Sequence, residues 1–167
     1  MKSENLDRFI ESWGSMGELW GINRSMARIH AFIILSEDPV DLDTVSQKLH
    51  ISRGNASMCL RDLRNWGVIR RVHTSGDRRD FYVAEQDMWN MFYRIAVERK
   101  KREFDPLLNT LRDLISGINI KKENKVNKRL TQMEGLLTTA DRIMSKFLDD
   151  ENRSNTFPNF FKNFTPK

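Results

Sequence analysis

Apolar residues recur at helical spacing from Leu6 to Trp20, at Leu6, Phe9, Ile10, Trp13, Met16 and Trp20, which predicts an amphipathic helix. Gly14, Gly17 and Gly21 weaken it, so tertiary contacts must support it. Ser25 to Ser36 is denser, with Met26, Ile29, Ala31, Phe32, Ile33, Ile34 and Leu35, and predicts a largely buried second helix before the Pro39 connection. A short helix follows, capped by Asp41 or Asp43, with Val45 and Leu49 facing inward and its end near His50. Ser52 then caps a helix running to about Trp66, which Gly67 terminates. Val68 to His73 and Asp80 to Ala84 favour strands and flank the polar turn Thr74-Ser75-Gly76-Asp77.

Beyond Gln86 the pattern changes to long helices. One is expected from about Asp87 to Glu103. Asp105 and Pro106 look like an N-cap and first helical position, so a new helix or a kink is expected there. Its stripe is Leu107, Leu108, Leu111, Leu114, Ile115 and Ile118. Another helix is expected from about Lys122 to Asp149, with Val126, Leu130, Met133, Leu137, Ala140, Met144 and Phe147 on one face. That repeat is close to the 3.5-residue spacing of helices packed lengthwise on a partner. A polar tail carries Phe157, Phe160, Phe161 and Phe164, expected to be disordered or packed on a partner chain. The fold class is therefore mainly α: a winged helix-turn-helix with a small β-hairpin wing, plus long terminal helices for dimerisation. The divisions are 1–24 (N-terminal helix), 25–85 (winged unit), 86–150 (C-terminal helical region) and 151–167 (tail).

Charge sharpens this picture. The net charge is +5. Lys48, Arg53, Arg61, Arg64, Arg70, Arg71, Arg78 and Arg79 stand against Asp62, Asp77 and Asp80 between Lys48 and Asp80. Elsewhere acidic and basic residues balance, so the whole excess sits in one short segment, as a polyanion-binding protein requires. Seven of those eight basic residues are arginines, whose planar fork suits phosphates and guanine edges.

On the helix from Ser52, Ala56, Cys59, Leu60 and Leu63 share one apolar arc. Gly54, Ser57, Met58 and Arg61 lie opposite, flanked by Asn55 and Asp62 on one side and by Arg53 and Arg64 on the other. Small and short polar residues followed by arginine suit a helix entering a DNA major groove N-terminus first. Gly54 permits close approach, and Ser52 and Ser57 suit phosphates or base edges. Asn55 is expected to pair with adenine, Met58 to cover a thymine methyl and Arg61 to fork onto guanine. At the wing, Arg78 and Arg79 are expected to reach a narrow minor groove, with Arg71 and Ser75 beside them. Asp77 or Asp80 is expected to hold one of these arginines. Double-stranded DNA is the expected partner.

The run from Ile51 to Val72 (ISRGNASMCLRDLRNWGVIRRV), followed by Gly76 to Tyr82 (GDRRDFY), resembles the GbsR-type branch of the MarR-like winged helix-turn-helix transcriptional regulators. Arg28-Ile29-His30-Ala31 and Glu37-Asp38-Pro39-Val40 also fit. The match is specific from about Trp13 to Glu85 and loose beyond it. The resemblance implies a homodimer on a pseudo-palindromic operator, usually as a repressor, and carries Arg53, Asn55, Ser57, Met58, Arg61, Arg78 and Arg79 over as DNA-contacting positions. Some members govern osmoprotectant uptake or synthesis, which makes a small effector of that kind a candidate ligand. Trp13, Trp20, Trp89 and Tyr93 are candidates for an aromatic cage around such a cation; aromatic dimer packing is the plainer reading.

Other chemistry is weakly supported. His30, His50 and His73 lack neighbours at metal-ligand spacing, and no nucleophile-base pair, phosphate loop or paired-carboxylate motif occurs, so no metal, cofactor or enzymatic activity is expected. Cys59 lies on the core-facing arc, where a buried cysteine is usually a small hydrophobe rather than a redox switch. No segment approaches the roughly 20 apolar residues of a membrane span, and no signal peptide opens the chain. A cytoplasmic protein is expected. The alternative function is a winged-helix adaptor that binds other proteins rather than an operator.

Overall fold

A computed structural model describes residues 3–117 and 125–148. The chain divides into two compact units that part between Arg94 and Ile95. The tail phenylalanines and the expected helix start at Lys122 lie outside the described residues.

The first unit opens with α1 (Ser3–Leu19) and α2 (Arg24–Leu35). Two of the glycines that weaken α1, Gly14 and Gly17, have a packing role. A side chain at Gly17 would collide with Ala27, and one at Gly14 with the Arg28 stem. They let the two backbones approach closely, and Glu11 bridges Arg24 and Arg28 at 3.1 and 2.7 Å across the seam. Asn23 caps α2 by accepting from the Met26 N–H. Next come β1 (Val40–Asp41), α3 (Leu42–Leu49) and α4 (Arg53–Asn65). Of the two candidate caps for α3, Asp41 is the one used: it accepts from the Thr44 N–H at 2.7 Å. His50 takes the left-handed conformation that ends α3, and the Ser46 hydroxyl donates to the Ile51 carbonyl at 2.6 Å to close the turn. Ser52 caps α4 as its sequence predicts.

Ala56, Cys59, Leu60 and Leu63 are all buried, where they join Ile29, Ala31, Val45 and Val68 in the core. The wing strands β2 (Ile69–Val72) and β3 (Phe81–Ala84) pair antiparallel with Arg71 opposite Tyr82. The sequence pattern misses β1, whose two residues are too few to show a period. It pairs with the far edge of β3, Val40 opposite Tyr82, so the sheet order is β1-β3-β2. The wing is thereby anchored to the segment entering α3. The first turns of α5 (Met88–Arg99) complete the unit, with Met91 fully buried.

In the second unit, α5 passes into a π-helical turn, Lys100–Phe104, and then into α6 (Asp105–Gly117). Asp105 has helical dihedrals and donates its N–H to the Lys100 carbonyl, so it continues the helix rather than capping a new one. The cause is Pro106, which has no N–H for the regular ladder; a wider turn just before it absorbs the missing bond. Lys100 sits between Asp105 and Asp141 at 2.6 and 2.8 Å, which tie the turn to α7 (Lys125–Phe147). These hydrogen-bonded carboxylates raise its pKa. Leu108, Leu111 and Ile115 form the buried stripe of α6. Leu130, Leu137, Ala140 and Met144 of α7 are partly buried. Val126, Met133 and Phe147, expected on the same face, are exposed, as are Leu136 and Ile143. The apolar arc of α7 is wider than the surface covering it.

Candidate nucleic-acid interface

The outer face of α4 is solvent-exposed at Ser52, Arg53, Gly54, Ser57, Met58, Arg61 and Arg64. Nothing lies within 4 Å of where a side chain at Gly54 would project, so the missing side chain leaves the helix N-terminus open without being needed for packing. Met58 is 53% exposed although apolar, a cost in water that contact with a base methyl would relieve.

One residue of this helix turns inward, and one on its outer face is engaged by a carboxylate. The Asn55 amide donates to the Ser25 hydroxyl at 3.2 Å and its carbonyl accepts from the Cys59 thiol at 3.5 Å. It ties α4 to α2 and is not presented to a base edge. Arg53 pairs with Asp43 at 2.5 Å, tying α4 to α3. Cys59 is buried, and its thiol pKa is raised by desolvation and by Asp62; both effects keep it protonated and less reactive.

The wing divides its two arginines. Arg78 is exposed and makes no ion pair with any described residue. Arg79 instead turns back. It grips Asp77 at 2.6 Å, pairs with Asp41 and lies over the Phe81 ring, 5.1 Å from its centroid. Arg71 pairs with Asp80 at 3.0 Å, and Ser75 is exposed on the turn. Burial and the nearby charge of Asp80 raise the Tyr82 pKa, and the charges of Arg64 and Arg71 oppose that. The neighbouring acids thus engage Arg53, Arg71 and Arg79. Lys48, Arg61, Arg70 and Arg78 are left exposed with no ion pair among the described residues.

Asp41 joins the two halves of this surface, a role that its place in the sequence shows only as a helix cap. It is only 4% exposed. Burial alone would raise its pKa, but hydrogen bonds from Thr44 and the charge of Arg79 outweigh that, holding the carboxyl below its ordinary range. Asp41→Ala is expected to destabilise the first unit by about 2 kcal/mol by removing the α3 cap and freeing Arg79. Urea unfolding measures this, and a change within experimental scatter would contradict it.

The aromatic candidates differ in exposure. Trp13 is partly buried, with its described ring contacts to Phe9 (centroids 5.6 Å apart) and to the edge of His30 (6.4 Å). Trp20 and Trp89 are about half exposed, and Tyr93 is partly buried. No helix among the described residues is long and apolar enough to cross a membrane.

This arrangement is a winged helix-turn-helix: α3 and α4 form the helix pair and β2 and β3 the wing. A crystal structure described as a transcriptional regulator shares the fold, with a TM-score of 0.67 at 21% identity over 89% of this chain and 99% of that one. No protein-family model matches the sequence. Among curated proteins, the chain is similar to the HTH-type transcriptional repressor OpcR of Bacillus subtilis, 24% identical over 87% of this chain and 85% of that protein. It is also similar to the HTH-type transcriptional repressor GbsR of the same organism, 26% identical over 58% of this chain and 53% of that protein. The relatives of this chain are thus helix-turn-helix transcriptional regulators, GbsR among them, in keeping with the resemblance carried by the Ile51–Val72 and Gly76–Tyr82 runs.

Proposed function

We propose that the chain is a sequence-specific, double-stranded DNA-binding transcriptional regulator that acts as a homodimeric repressor. The observation that carries this reading is the outer face of α4. Gly54, Ser57, Met58 and Arg61 stand exposed together, while nearby carboxylates engage other arginines and leave Arg61 and Arg78 free to meet a polyanion. In this reading Arg61 and Met58 read bases, Ser52 and Ser57 hold phosphate, and Arg78 enters the minor groove.

Dimerisation is supported by large apolar residues left exposed in each unit: Leu19 and Phe92 in the first, Leu136 and Ile143 in the second. Exposed apolar residues in such number suit association. Two recognition helices related by a two-fold axis would meet half-sites about 34 Å apart. A small effector belongs to this reading too, with Trp13, Trp20, Trp89 and Tyr93 as its aromatic candidates.

A salt titration of binding to the gene's own upstream duplex tests the proposal. Log affinity should fall against log salt with a slope of about −4 or steeper. A flat slope would overturn it and favour the protein-binding adaptor.

A further inference from the structure

Asn55 lies in the first turn of α4 and is partly buried. A helix that enters a groove does so with this end. The Asn55 backbone N–H donates to the Ser52 hydroxyl at 3.3 Å and closes the helix cap. Its side-chain amide is committed on both sides. Nδ2 donates to the Ser25 hydroxyl at 3.2 Å, and Oδ1 accepts from the Cys59 thiol at 3.5 Å. Cys59 belongs to α4 itself, one turn further on, whereas Ser25 stands in the first turn of α2. The Ser25 bond is therefore the one that ties this end of the helix to another element.

Apolar packing does little for that end. Of the buried side chains on α4, Ala56 alone is near it, and Cys59, Leu60 and Leu63 lie further along. A methyl group gives a helix end little to grip. The other polar tie is the Arg53–Asp43 ion pair, whose side chains are 68% and 46% exposed, and exposed pairs contribute little. The partly buried Asn55–Ser25 bond is left as the main restraint. Asparagine suits it, because one planar uncharged group offers a donor and an acceptor together.

We propose that Asn55 is a positioning residue for DNA recognition and that Ser25, on α2, determines specificity through it. Their hydrogen bond fixes the first turn of α4 against α2, so that Ser57, Met58 and Arg61 meet base edges in register. The turn is then ordered before DNA arrives, and its ordering does not weaken binding. Base contacts depend on this because they need defined distances and angles. Phosphate attraction acts over a longer range and carries no sequence information, so non-specific binding does not depend on it. The specificity role rests on the DNA-binding reading; the tether itself does not.

The test titrates the full chain, Ser25→Ala, Asn55→Ala and the double variant with the gene's own upstream duplex and with a scrambled duplex of equal length. Each single variant should lose about fivefold in affinity for the upstream duplex, the size of one neutral hydrogen bond. The double variant should lose no more than either single one, because both remove the same bond. Affinity for the scrambled duplex should not change. Ser25→Thr, which keeps the hydroxyl, should retain the affinity of the wild type. A second measurement needs no DNA. The Ala56 N–H bonds to the Ser52 carbonyl at 2.9 Å. Its hydrogen exchange should quicken about fivefold in Ser25→Ala, while that of Leu63 stays unchanged. Additive losses in the double variant would overturn the proposal by making the two residues independent contacts. A loss in Asn55→Ala with none in Ser25→Ala would overturn it by making Asn55 a direct base contact. Equal losses on both duplexes, or unchanged Ala56 exchange, would overturn it too. A wild type with no preference for the upstream duplex would overturn the DNA-binding reading and the specificity role with it, and Ala56 exchange would then decide the tether alone.

Discussion

Arg61→Ala should weaken binding to the specific duplex by about 10- to 100-fold while leaving thermal unfolding unchanged. A bidentate arginine-guanine contact is worth about 1–3 kcal/mol of discrimination, and Arg61 has no ion pair among the described residues whose loss would destabilise the fold. The loss should be far smaller on non-specific DNA, where base reading contributes little. Electrophoretic shift assays on both duplexes separate the two effects. An equal loss on both would make Arg61 a phosphate contact, and no loss on either would remove it from the interface. Arg79→Ala should differ in kind, lowering stability along with binding, because Arg79 holds Asp41 and Asp77.

Acidification should destabilise the first unit through His30. This side chain is 3% exposed against Trp13, with its Nε2 buried and unpartnered. Burial lowers its pKa from 6.5 to about 4. The unfolded chain therefore takes up a proton before the folded chain does. The stability present above pH 6.5 is lost as pH falls toward 4, in total about 3 kcal/mol. Denaturant unfolding between pH 7 and pH 4 should show that slope in the wild type and a shallower one in His30→Leu, which has nothing to protonate. Parallel pH profiles would rule out His30 as the source.

The sequence reveals most of the winged unit because its signals are local. Ser52, the arc of Ala56, Cys59, Leu60 and Leu63, and Gly67 lie within a few turns of one another, and helical geometry alone decides which way they face. Asn55 shows the limit. Its place on the flank of α4 is legible, but its inward turn depends on Ser25, thirty residues earlier. Arg79 is illegible in the same sense: Asp41, its buried partner, is brought near by a two-residue strand with no period to read. Asp105 misleads because Asp-Pro marks a helix start wherever the chain can break, and here a wider turn carries the helix through.

That turn has a consequence for how the chain tolerates length changes. A π-helical turn accommodates one more residue than an α-helical turn over the same stretch, so it acts as a phase shifter for everything downstream. Deleting one residue from Lys100–Phe104 would restore a regular ladder and rotate the Leu108, Leu111 and Ile115 stripe by about 100° relative to the residues before it. It would also drive the Pro106 ring against the carbonyl four residues earlier. Residue count at this joint is thus more constrained than residue identity. Here the exposed Lys101 should accept substitution freely, while the turn should tolerate shortening hardly at all.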